Sequence, residues 1–261
     1  MPLNELHRRV ATIALRVATR YGFALGGGNA LIAHGLITRP TQDVDLFTNE
    51  ETGVEAAADS VQVALHMAGF RAEREDQAAG LADVFEGLGE GLAEWTVTAP
   101  DGQQMMLQMA YFDRTAQPVT MDVGPVLSLE DVVGGKVCAL AGRAEPRDYI
   151  DTAAALRLYS VEDAIGLARQ LDPGLEDRDF ADAARRLDRW GDAIFAPFGL
   201  GAKDVAALRE AFAGWPRLRP RYLVIASGEP AGVQGAEWRN LRCGSTLRET
   251  ETGCTSRARR H

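Results

Sequence analysis

Lysine is almost missing from this chain: of 28 basic residues only Lys136 and Lys203 are lysine, which leaves 26 arginines. Cysteine is nearly as scarce. Cys138, Cys243 and Cys254 are odd in number and lack metal-ligand spacing, which argues against a disulfide framework or a zinc site. No apolar run reaches the roughly 20 residues of a membrane span, and "MPLNELHRRVATIALRVATRYG" lacks the unbroken apolar segment of a secretory signal. A cytoplasmic protein without membrane contact is expected. Positive charge is also in deficit, with 28 Lys and Arg against 37 Asp and Glu and a net charge of −9. Such a balance disfavours indiscriminate attraction to a phosphate backbone while leaving room for a local basic patch.

What is present suits a globular protein: 261 residues, 46% of them hydrophobic, can bury one large core or two smaller ones. "NELHRRVATIALRVATRYG" predicts a first helix, capped by Asn4 and stopped by Gly22, with Arg9, Arg16 and Arg20 along one flank. A short strand over 23–25, a glycine turn, a brief helix over about 29–36, a strand "DVDLF" and a second amphipathic helix follow. "LADVFEG", "AEWTVTA" and "QQMMLQMAYF" read as further strands. From Ser128 onward the pattern turns helical, over 129–142, 147–158, 161–171, 177–190 and 203–214. The expected organisation is an α/β domain over 1–125, a helical domain over 126–220 that completes the active site, and a disordered tail over 221–261. The tail holds seven Arg and four Glu, or +3, so residues 1–220 carry −12 of the total −9.

The stretch "GGGNALIAHGLITRPTQDVDLF" carries the chemistry. Strand alternation turns Asp43 and Asp45 to one side and Val44 and Leu46 to the other. Two carboxylates in one small volume repel unless a divalent cation lies between them, and Mg²⁺ (or Mn²⁺) is the hard, oxygen-preferring ion that keeps positions open for phosphate. Gly26, Gly27 and Gly28 allow close backbone approach to a ligand, and the helix after them offers its positive end to an anion. Together these are a seat for an NTP and a seat for a metal on neighbouring elements.

A second cluster lies in "SLEDVVGGKVCALAGRAEPRDYID". Ser128 with Asp131 predicts the start of a helix. Lys136 falls inside its apolar stripe of Leu129, Val132, Val133, Val137 and Leu140, so the rare lysine faces the protein and suits a phosphate as a compact charge. Gly134 and Gly135 suggest that something approaches this helix closely. Arg147, Asp148 and Asp151 open the next helix, the two aspartates on one face.

Both blocks, in this order, resemble the AbiEii/AbiGii-type nucleotidyltransferase toxins, a MenT-like branch of the polymerase-beta-like superfamily. The resemblance covers about residues 22–158. It places Gly27, Gly28, Asn29, Arg39 and Thr41 at nucleotide-binding positions, Asp43 and Asp45 at the metal, and Lys136 with Arg143, Arg147, Asp148 and Asp151 in the second block. Asn29 is expected to hydrogen-bond a phosphate or to cap the short helix; His34 is expected to be structural. The superfamily often carries a third carboxylate on a later strand, where this chain has Gln108. Asp148 is then expected to act as base or orienting group.

The fold this implies is α+β, a polymerase-beta-like nucleotidyltransferase domain with a mixed sheet followed by a helical domain. The function it implies is a toxin of a toxin-antitoxin system that transfers NMP from an NTP to an RNA acceptor, with the 3′ end of tRNA as the specific candidate, restrained by a cognate antitoxin that binds DNA. Two alternatives stand beside it. The acidic surface suits a small-molecule nucleotidyltransferase acting on a cationic antibiotic, and Gln108 suits a catalytically inactive nucleotide-binding or partner-binding protein.

Overall fold

The computed structural model describes residues 3 to 75 and 91 to 217. The tail expected to be disordered and the strand expected in "LADVFEG" lie outside these residues. All described residues fall within one compact unit, Met1–Arg219.

The order is helix α1 (Glu5–Ala18), strand β1 (Ala24–Leu25), helix α2 (Gly27–Ala33), strand β2 (Asp43–Thr48), helix α3 (Gly53–Met67), then strands β3 (Arg71–Arg74), β4 (Leu92–Thr98), β5 (Gln104–Tyr111), β6 (Val119–Met121) and β7 (Gly124–Val126). Helices α4 (Leu129–Gly142), α5 (Pro146–Ala155), α6 (Val161–Leu171) and α7 (Asp177–Arg189), a 3₁₀ turn (Asp192–Phe198) and helix α8 (Ala202–Ala211) follow. The strands form one sheet in the order β3-β4-β5-β2-β1-β7-β6. β2 runs parallel to β5 and β1 to β7, while the other pairs are antiparallel, so the sheet is mixed as expected.

Alternation along the strands divides the two faces. Val44 and Leu46 on β2, Leu107 and Met109 on β5, and Trp95 and Val97 on β4 are buried, and they pack toward α1 and α3; Trp95 Nε1 donates to Gln62 Oε1 of α3 at 3.3 Å. Asp43, Asp45, Gln108 and Glu94 occupy the other face and are only half-buried. One hydrophobic cluster runs from this layer into the helices, joining Leu107 with Val133, Tyr149 and Phe180. This core is continuous across the boundary expected near residue 125.

The local reasons match the sequence in most elements. Asn4 Oδ1 accepts from the Leu6 N–H at 2.8 Å to start α1. Ser128 Oγ accepts from the Asp131 N–H at 3.1 Å to start α4. Gly134 is the point of close approach: a Cβ there would stand 2.9 Å from the Leu167 carbonyl oxygen of α6. Two details differ. Helix α2 begins at Gly27 rather than near 29, so its N-cap is Gly26, and Asn29 sits inside the first turn. Strands β3, β6 and β7 and the 3₁₀ turn were not anticipated, because strands of three or four residues and a turn containing Pro197 are too short to show a period.

Candidate active site

The site begins at Gly27, the first residue of α2, whose φ of +57° lies in the left-handed region. A Cβ at that position would stand 1.7 Å from Asp45 Oδ2. The carboxylate therefore lies directly against the bare backbone of the turn. At Gly28 a Cβ would meet Thr41 Cγ2 at 2.5 Å, which draws the loop before β2 onto the same turn. The backbone bond from Gly26 N–H to the Asp45 carbonyl, 2.8 Å, completes the junction of turn and strand.

Asn29 explains why the turn holds its shape. It is fully buried; its Nδ2 donates to the Asp43 carbonyl at 2.6 Å and its Oδ1 accepts from Thr41 Oγ1 at 3.0 Å. Both ends of the amide are spent on protein partners, so Asn29 neither caps α2 nor faces the cavity, contrary to expectation. His7 of α1, which carried no signal in the sequence, joins this knot through Nδ1 and Thr41 Oγ1 at 3.1 Å. Burial lowers the His7 pKa below the usual imidazole value, against the opposing effects of Asn29 and Asp43, so it is neutral near pH 7. His34 is structural as expected, its Nε2 lying 2.9 Å from the Leu127 carbonyl.

Across from the aspartates, α4 and α5 and the turn between them contribute cations, of which Lys136 and Arg143 are held by buried acids. Asp151 is fully buried and accepts from Arg39 through Nε at 2.8 Å and Nη2 at 2.7 Å, while Lys136 Nζ lies 3.1 Å from its Oδ2. Asp148, also fully buried, accepts from Arg143 Nε at 3.0 Å and Nη2 at 2.9 Å and from the Glu145 N–H at 3.0 Å. With three hydrogen bonds accepted and no exposure to solvent, Asp148 has the geometry of an orienting group rather than of a base exposed to substrate. Arg147 is held by Glu145 at 2.8 Å and reaches Asp43 Oδ2 at 3.7 Å.

A cavity of about 770 Å³ lies between these walls. Of the residues expected at the site, Gly27, Gly28, Arg39, Thr41, Asp43, Asp45, Gln108, Lys136 and Arg147 line it, together with Arg143. Asn29, Asp148 and Asp151 stand behind its wall as anchors. Pro197, Phe198 and Gly199, which follow the last motif residue by more than forty positions, close one side and had no sequence signal. Arg9 and Arg16 on α1, and Arg20 in the 3₁₀ turn Thr19–Tyr21 that follows it, are exposed and are not among the lining residues; Arg9 stacks over Phe70 and Arg20 over Tyr21. Cys138 donates to the Ala168 carbonyl, and burial pushes its thiol up to about 11, as for an inert packing residue.

The aspartate pair fits a hard divalent cation. Among the described residues no side chain hydrogen-bonds the Asp45 carboxylate, and no set of three His, Cys, Asp or Glu is placed to hold a metal. Burial pushes the Asp45 pKa above the usual carboxylate value; Lys136 opposes this and the neighbouring Asp43 charge adds to it. A dication between the two carboxylates would remove that penalty, and two carboxylates leave the remaining coordination positions to phosphate and water, as Mg²⁺ prefers.

A mixed sheet thus carries paired carboxylates beside a glycine turn and faces a helical wall of cations. The family model for the nucleotidyl transferase AbiEii toxin of type IV toxin-antitoxin systems matches residues 11–214. The chain belongs to this family of nucleotidyltransferase toxins. None of the curated proteins matches the sequence significantly. Among solved structures, the chain is similar to MenT4, a nucleotidyltransferase toxin of Mycobacterium tuberculosis, with a TM-score of 0.53 at 13% identity, covering 80% of this chain and 82% of that one. It is also similar to JHP933 of Helicobacter pylori, with a TM-score of 0.52 at 15% identity, covering 80% and 91%. These two likenesses concern the fold. No helix among the described residues is long and apolar enough to cross a membrane.

Proposed function

We propose that the cavity binds an NTP together with Mg²⁺ (or Mn²⁺) and transfers its NMP to a hydroxyl of an RNA acceptor, the 3′ end of tRNA being the candidate tested first, with release of pyrophosphate. The observation that carries this is the division of the cavity into two charges: Asp43 and Asp45 on the sheet, and Arg39, Lys136, Arg143 and Arg147 opposite them. A nucleoside triphosphate on a metal asks for both. Its phosphates need cations and backbone donors, and its metal needs carboxylates.

Asp43 and Asp45 would hold the cation, which supplies charge neutralisation at the α-phosphate and a template for in-line attack. The turn at Gly27 and Gly28 lines the cavity and would offer the first amides of α2 to phosphate oxygens. Lys136 and Arg39, fixed by their shared carboxylate, set two positive charges at one wall; a phosphate entering between them meets donors whose rotamers are already chosen. Arg143, oriented by Asp148, and Arg147 extend that wall toward the leaving group. The acceptor oxygen bonds to the α-phosphorus as the bond to the bridging oxygen of pyrophosphate breaks. The family's type IV toxin-antitoxin assignment supports a cognate antitoxin, which we take to be a DNA-binding regulator.

Incubation of the protein with each labelled NTP and total tRNA tests this directly, with Asp43→Ala as control. Label in tRNA that depends on Mg²⁺ and is lost in Asp43→Ala is expected. Label confined to an added cationic antibiotic, or no label with any NTP, would overturn the RNA assignment or the activity respectively.

A further inference from the structure

Asp45, Gln108 and Glu94 are register partners on three adjacent strands, β2, β5 and β4. Alternation places all three side chains on the face that carries Asp43. Gln108 lines the cavity and Glu94 does not, but Gln108 Nε2 donates a hydrogen bond to Glu94 Oε1. A carboxylate can only accept, and a carboxamide has one donating and one accepting end. Contact with Glu94 therefore fixes the NH₂ of Gln108 toward Glu94 and leaves its carbonyl oxygen on the other branch of the amide, free of that contact.

We propose that Glu94 is a positioning residue that holds Gln108 with its neutral carbonyl oxygen toward Asp45, as a third oxygen for a divalent cation at the Asp43–Asp45 pair. This rests on the function proposed above. It also gives the departure from a third carboxylate a physical sense. An amide oxygen is an accepted ligand for a hard cation. Being neutral, it spares the half-buried pair a third negative charge. A free glutamine could turn its NH₂ to the cation and repel it. The charge-assisted bond to Glu94, stronger than one between neutral groups, removes that alternative.

The test uses the full chain with Mn²⁺ as probe, read by the paramagnetic resonance of the free ion, and the Mg²⁺ dependence of transfer. In Glu94→Ala, Mn²⁺ affinity is expected to fall about tenfold, the scale typical for loss of a partner behind a metal ligand. The Mg²⁺ concentration for half-maximal transfer should rise by the same factor. Glu94→Gln, whose own carbonyl oxygen can accept from Gln108, should recover most of the loss. Both substitutions fall at a half-exposed strand position, and circular dichroism checks the fold. Wild-type Mn²⁺ affinity in Glu94→Ala, alongside lost affinity in Asp43→Ala, overturns the proposal, and so does a Gln variant no better than Ala. Wild-type Mn²⁺ affinity in Asp43→Ala instead overturns the metal assignment beneath it.

Discussion

Replacing Gly27 by alanine puts the junction of glycine turn and metal-binding strand to a quantitative test. The new methyl group has two effects. It occupies φ +57°, a left-handed conformation that costs a non-glycine residue about 1–2 kcal/mol, and in a domain of this size that lowers Tm by about 2–8 °C. It also stands 1.7 Å from Asp45 Oδ2, so even a 3.0 Å separation requires turn and carboxylate to part by about 1.3 Å. A misplacement of that order costs about a hundredfold in rate. Gly35→Ala separates the two effects, because Gly35 has φ +76° but nothing within 4 Å of the added carbon. Thermal unfolding should show the φ penalty alone in Gly35→Ala and a larger loss in Gly27→Ala, whereas nucleotidyl transfer to the labelled acceptor should fall about a hundredfold only in Gly27→Ala. Transfer by Gly27→Ala within a few-fold of Gly35→Ala would refute the claim that the turn fixes Asp45.

Three further outcomes are expected. Asp151→Ala strands Arg39 and Lys136 beside a buried, empty position and should destabilise the fold by about 3–5 kcal/mol in chemical denaturation, the usual cost of removing one partner of a buried ion pair; a loss under about 1 kcal/mol would show that Asp151 is no anchor. Lys136→Arg should transfer almost as poorly as Lys136→Ala, because the Asp151 carboxylate already takes the Arg39 fork and has no room for a second planar guanidinium; near-wild-type turnover would reduce Lys136 to a generic charge. For Asp45, a folded pKa above the unfolded one means that its ionisation opposes folding above the folded pKa, and that the penalty disappears as pH falls to the ordinary carboxylate value. Without divalent ions, Asp45→Asn should therefore melt above the wild type at pH 7, with the gap closing as the pH is lowered through the carboxylate range. Equal melting temperatures at pH 7 would contradict this.

The sequence by itself determined what is local or periodic. Alternation in "DVDLF" placed Asp43 and Asp45 on one face, helical spacing turned Lys136 inward, and Ser128 and Gly22 marked helix limits, the one through its side-chain cap and the other through its positive φ. These are properties of a few neighbouring residues, and the family resemblance rested on the same short blocks. The tertiary structure decided which side chains meet across a distance in the chain. It made Asp151 the anchor of both Arg39 and Lys136, 112 and 15 residues away. It withdrew Asn29 and Asp148 from the cavity into its supporting wall, brought His7 to Thr41, and set Glu94 beside Gln108. The type of residue does not separate these fates, since a buried asparagine that knits two backbones and an exposed one that binds phosphate have the same composition. Which of them occurs depends on whether the lone pairs and protons of that side chain find protein partners, and strand register and helix packing decide that only after the whole core has closed.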